Sequence, residues 1–156
     1  GSLYLGATGG WGAGADALQR VVWDGNISPD LREVKLTARG FRVSFTRPMS
    51  AATLADPANF AVDHFRYYYQ YKYGSPWVDE ARVAVTAVHP APDGLSVELD
   101  LAELKPGFIY ELSVPALRTT DDQPLANPLA YYTANRQSDR SHRNIWRRLY
   151  HPPQSP

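Results

Sequence analysis

Cysteine is absent from all 156 residues. Its absence removes disulfide scaffolds, thiol catalysis, haem attachment and cysteine-based zinc sites together. Net charge is missing too: 16 lysines and arginines balance 16 carboxylates, and the pI is about 7.1. A chain with no global field has nothing to recruit nucleic acid or an anionic membrane, so neither is expected as a partner. No apolar run reaches the roughly 18 residues of a membrane span, and the first residues carry neither the basic region nor the apolar stretch of a signal peptide. What the chain does have is 44% hydrophobic and 12% aromatic residues, enough for one domain with a single core.

Charge and glycine are unevenly spread. Residues 136–156 hold five arginines (Arg136, Arg140, Arg143, Arg147, Arg148) against one acid, Asp139, which leaves residues 1–135 with 11 basic and 15 acidic side chains, or minus four. The tail is a separate electrostatic object, read as a basic arm that docks on the acidic body or on a neighbouring domain. Its SDRSHRNIWRRLY stretch has a short apolar stripe (Ile145, Trp146, Leu149, Tyr150) with Ser138 or Ser141 as a cap, and predicts a short helix before Pro152. At the other end, the first 25 residues contain seven of the eleven glycines. There LYLGA and LQRVVWDG, separated by a glycine-rich loop, predict a hairpin with no partner sheet in this chain. An isolated hairpin is marginal, so residues 1–27 are expected to be the end of a preceding domain.

From Glu33 the pattern becomes regular. EVKLTA and FRVSFT alternate with period two across Arg39-Gly40, with Val34, Leu36, Val43 and Phe45 as the inward set. Ser50 is placed to cap one helical turn before Asp56-Pro57 stops it. FAVDHFRYYYQYKY reads as an extended strand, ARVAVTAVHP as another, and LSVELDL as its hairpin partner with Val97, Leu99 and Leu101 on one side. FIYELSV and LAYYTA complete the set. About seven short strands at this spacing predict an all-β antiparallel β-sandwich over residues 28–135, followed by the tail 136–156.

The succession FRVSFTRPMSAATLADPANFAV, a strand pair around a DG turn, then LAELKPGFIYELSVPALRTTDDQPLA resembles the bacterial Ig-like domains of the type first named in surface-layer proteins. The residues that carry the resemblance are Phe45, Pro48, Thr53, Asn59, Phe60, Leu104, Pro106, Gly107 and Tyr110, within residues 33–134. Each also has a structural reading. Pro106-Gly107 suits a type II turn, Tyr110 suits a tyrosine corner, and Phe45 and Phe60 suit the inter-sheet core. The resemblance implies an Ig-like sandwich, fibronectin-III-like in its general plan, serving as a non-catalytic accessory or interdomain module, without cofactor or metal, in a large periplasmic or extracellular protein whose neighbouring domains are its partners. The N-terminal LYLGATGGWG and ALQRVVWDG resemble the last blade of a glucose/sorbosone dehydrogenase-like β-propeller. That second resemblance implies a sugar oxidoreductase as the parent.

The candidate site is YYYQYKYGSPW, residues 67–77. On a continuous strand Phe65, Tyr67, Tyr69, Tyr71 and Tyr73 share one face, more aromatics than one core accepts. Tyr67, Tyr69, Tyr71, Tyr73 and Trp77 are therefore the expected ligand or docking surface. One reading is a hairpin that packs on an adjoining domain; the alternative is a carbohydrate-binding module, since flat rings stack on sugar faces. Other motifs are weaker. GATGGWGAG lacks the Gly-Lys-Ser/Thr ending of a phosphate loop and reads as a hairpin loop. His64, His89, His142 and His151 have no metal-ligand spacing and read as ordinary strand or surface residues. Asp121, Asp122 and Asn127 lack the spacing of a calcium loop and read as a polar turn. No nucleophile elbow occurs, and Glu98, Asp100 and Glu103 read as solvent-facing acids.

Overall fold

A computed structural model of the chain describes residues 2–7 and 17–135. The predicted tail helix, His142, His151 and most of the glycine-rich loop lie outside the described residues. Within them the chain is almost entirely β. β1 (Leu3–Ala7) and β2 (Ala17–Val21) form a two-stranded hairpin that pairs with no other strand, as its sequence predicts. It leaves Leu3, Tyr4, Leu5 and Leu18 exposed.

Eight further strands build a sandwich of two four-stranded antiparallel sheets. β3 (Leu31–Leu36), β4 (Gly40–Phe45), β7 (Val85–Pro90) and β8 (Ser96–Leu101) make one sheet in the order β3-β4-β8-β7. β5 (Ala61–Tyr67), β6 (Trp77–Val83), β9 (Phe108–Ser113) and β10 (Leu129–Ala134) make the other in the order β10-β9-β5-β6. Lettered in chain order, these are the ABED and GFC sheets of the Ig plan with one extra strand beside C.

Period-two alternation places the core. Phe41, Val43 and Phe45 of β4, Val97, Leu99 and Leu101 of β8, Val62 of β5, and Tyr110 and Leu112 of β9 are all buried between the sheets. Val34 and Leu36 of the edge strand β3 are half-buried against the same core. Close packing leaves no room at the start of β4, where a Cβ on Gly40 would stand 1.9 Å from the Leu99 carbonyl oxygen. The tyrosine corner forms: the Lys105 backbone N–H donates to the Tyr110 hydroxyl at 2.6 Å, and Gly107 has φ +83°, the left-handed conformation a type II turn needs.

The structure differs from the sequence reading in four places. ARVAVTAVHP is not one strand: β6 ends at Val83 and β7 begins at Val85, so the chain crosses between sheets at Ala84 with no turn residue to mark it. The tyrosine-rich strand stops at Tyr67, where its pairing with Trp77 ends. The first sandwich strand starts at Leu31, before Glu33, across a bulge between Leu31 and Glu33. Ser50 precedes the helical turn α1 (Ala51–Leu54) without a side-chain cap bond. Instead its carbonyl accepts from Thr53 and Leu54, and the side-chain cap comes one turn later, where the Asp56 carboxylate accepts from Ala58 N–H at 2.9 Å.

β3 and β10 lie side by side on different sheets and run in the same direction, residues 29–34 lying against 126–131 in order. Ala126 N–H donates to the Pro29 carbonyl at 2.8 Å, and the Asn127 amide donates to Asp30 at 2.7 Å. The chain therefore enters the sandwich at one pole and reaches Asn135 at the other, the pole from which the β5–β6 hairpin projects.

Candidate functional site

Alternation on the β10-β9-β5-β6 sheet decides which side chains meet. Val62 and His64 pair with Leu112 and Tyr110 and point inward, so Asp63, Phe65 and Tyr67 point outward with Ile109, Glu111 and Tyr131. On this outer face Phe65 is nonetheless only 3% exposed, because Trp77 lies flat on it with ring centroids 4.0 Å apart and planes 13° from parallel. Tyr67 closes the cluster edge-on, 5.6 Å from Phe65 and 6.5 Å from Trp77. Of the predicted row, Tyr67 and Trp77 are thus brought together.

The reason is a bulge. His64 faces Ala81 but Arg66 faces Val78, which puts one extra residue on β6, and Asp79 there takes a positive φ of 56°. An Arg66–Asp79 ion pair bridges the kink. Past Tyr67 the hairpin narrows to one backbone bond, Tyr68 N–H to the Pro76 carbonyl at 3.0 Å, and the Gln70 amide donates to the Gly74 carbonyl at 2.7 Å. Tyr69, Tyr71 and Tyr73 are 94%, 94% and 107% exposed and make no ring contact among the described residues. They neither continue the outer-face row nor pack on one another, and the β1–β2 hairpin does not cover them. The one-face alternation fails there because no strand exists to impose it.

Below the aromatic cluster an open groove crosses the outer face, lined by Asp63, Phe65, Trp77, Glu80, Arg82 and Glu111. Arg82 pairs with Asp63 at 2.8 Å. Glu111 accepts a hydrogen bond from the Tyr131 hydroxyl, which holds that phenol above its ordinary pKa. Glu80 has no partner among the described residues. Sequence reasoning missed these acids because they come from separate strands, and only the register brings them together.

The opposite, inner side of the same hairpin carries a second group. His64 is 1% exposed, its ring 4.7 Å from Phe108 and 5.7 Å from Tyr110, and its Nδ1 makes no hydrogen bond among the described residues. Glu103 approaches to 3.9 Å and itself pairs with Lys105 at 2.8 Å. Burial, aided by the Lys105 charge, pushes the His64 pKa down; Glu103 opposes this. The signal for this burial was present in the alternation, since His64 stands two residues after Val62. His89, by contrast, is an exposed strand residue 3.2 Å from Asp100.

Among the described residues no group of three or more His, Asp or Glu is arranged to hold a metal. Asp121 is engaged by Thr119 and by Arg47 at 3.0 Å, and Asn127 by Asp30, so the polar turn is accounted for by protein partners.

No family model matches the chain, and no curated protein sequence is similar to it. Solved structures are. The N-terminal part of the bacterial S-layer protein SbsC aligns with a TM-score of 0.54 at 22% identity over 70% of this chain. A longer SbsC structure gives 0.53 at 21% over 70%, and a structure of SbsC domains 1–6 gives 0.50 at 20% over 69%. This chain spans 24% of the first of those proteins and 14% of the other two. At such identities what is shared is the fold: the sandwich is built like a domain of a surface-layer protein.

Proposed function

We propose that this chain is a non-catalytic Ig-like module of a larger secreted protein, periplasmic or extracellular, which spaces neighbouring domains and docks on one of them through the aromatic end of its β5–β6 hairpin. The observation that carries the reading is the exposure of Tyr69, Tyr71 and Tyr73, at 94%, 94% and 107%, on the pole where the chain leaves the sandwich. Large exposed aromatics in one place mark contact surfaces more often than chance exposure does. The fold shared with S-layer domains agrees with a structural role. The N-terminal resemblance to a propeller blade keeps a sugar oxidoreductase as the candidate parent.

A carbohydrate-binding role is the second reading. Its support is the Phe65–Trp77 stack, which fixes one indole face inward and leaves Trp77 45% exposed. One experiment separates the two. Titration with soluble oligosaccharides, followed by intrinsic fluorescence, is expected to give no saturable change, while Tyr69→Ala and Tyr71→Ala reduce association with the neighbouring domain. Saturable quenching that Trp77→Ala or the tyrosine substitutions abolish would make the module a sugar binder.

A further inference from the structure

We infer that the outer-face groove beside Trp77 is the docking site of this chain's own basic tail, residues 136–148. The groove lies on one sheet face that no described element covers, and its charge is one-sided. Asp63, Glu80 and Glu111 contribute three carboxylates against the single guanidinium of Arg82. Arg82 is committed to Asp63, which leaves Glu80 and Glu111 without a cationic partner among the described residues. The flanking surface is aromatic, with Trp77, Tyr67 and Tyr131 half exposed. Carboxylates beside open π faces make a surface that suits guanidinium, whose planar fork both pairs with carboxylate and stacks on rings.

The chain supplies that chemistry from a nearby point. Residues 136–148 carry five arginines and one acid, and they follow directly on Asn135, at the end of β10 in the same sheet. Ala134 there pairs with Phe108, one residue beyond the row in which Thr133, Ile109 and Phe65 lie level. Crossing from β10 over β9 and β5 to β6 takes three inter-strand steps of about 4.8 Å, roughly 14 Å in all. The five residues from Asn135 to Arg140 span roughly 16 Å when extended. That length is enough to bring an arginine of the early tail to Glu80 and Trp77. Intramolecular attachment makes the effective concentration high, so even weak charge pairing is populated.

The inference is independent of what the exposed tyrosine tip contacts, and it is tested on the full chain. The Trp77 indole N–H is assigned in a ¹⁵N spectrum by its loss in Trp77→Phe. In dilute protein, Arg140→Ser with Arg143→Ser is expected to shift that resonance and the Ala81 and Arg82 amides. Raising salt from about 50 to about 500 mM should shift them in the same direction, because the pairing is screened. Glu80→Gln with Glu111→Gln should abolish most of the salt-dependent shift. Lys35→Ser, which removes one positive charge on the opposite sheet, should leave the resonances in place. Groove resonances that ignore both the arginine substitutions and salt would overturn the inference. So would shifts that appear only as protein concentration rises, which would assign the groove to the tail of another copy.

Discussion

Two side chains at the same pole of the sandwich illustrate opposite ways of burying a polar group. Tyr110 places its ring against Phe41, 5.3 Å away, and its hydroxyl accepts the Lys105 N–H, so a large buried residue leaves no polar atom unsatisfied. Tyr110→Phe keeps the ring and orphans the donor, and it should lower unfolding stability by about 1–2 kcal/mol, read as a lower urea midpoint at unchanged slope. His64 is the contrary case, with a buried Nδ1 that has no hydrogen-bond partner among the described residues. Burial lowers its pKa below the ordinary 6.5, so the unfolded chain binds the proton more tightly. Its contribution is complete above about pH 6.5 and is lost as pH falls from there through the folded-state pKa. His64→Leu should remove that part of the acid sensitivity, measured as thermal midpoints between about pH 5 and pH 7.5. A His64→Leu chain that weakens with acid as steeply as the parent over this range would show that other groups control it.

At the scale of elements, the β5–β6 hairpin consists of a packed stem and a free tip. Replacing residues 69–75 by a two-residue turn removes no buried side chain and should leave the thermal midpoint within a degree or two of the parent. The same replacement should abolish association with the neighbouring domain, if the tip is the contact. A large fall in midpoint would mean that the tip supports the stem. The sequence made much of this legible. Alternation in GFRVSF, SVELDL and FIYELS specified core strands because each has one buried and one less-buried face. It failed at ARVAVTAV, where a crossing between sheets needs no turn and keeps the same extended, apolar character on both sides of Ala84. It failed again after Tyr67, because tyrosine favours strands but a strand also needs a bonded partner, and pairing ends there. The groove was illegible for a different reason: Asp63, Glu80 and Glu111 are scattered in the chain, and only pairing register makes them neighbours.

For the whole molecule, one core serves both sheets. Phe41 touches Tyr110 and Tyr132 across the interface, at 5.3 and 5.2 Å, so neither sheet can separate without exposing the other. Denaturant unfolding followed at Trp77 alone, with the other tryptophans replaced, should coincide with loss of far-UV dichroism in a single transition. An earlier tryptophan transition would show that the hairpin melts as its own unit. The β1–β2 hairpin should contribute little to that transition, since among the described residues it pairs only with itself.

The side-by-side placement of β3 and β10 carries a mechanical consequence. A pull applied to the chain ahead of Asp30 and behind Asn135 acts from opposite poles, along the axes of both strands. β3 would have to slide lengthwise past β4, and β10 past β9, with five and six residue pairs respectively loaded at once rather than peeled one at a time. Such shear geometry resists force far better than unzipping does. Under such a load the sandwich would act as a strut that keeps its length, because both end strands are held along their whole paired edge.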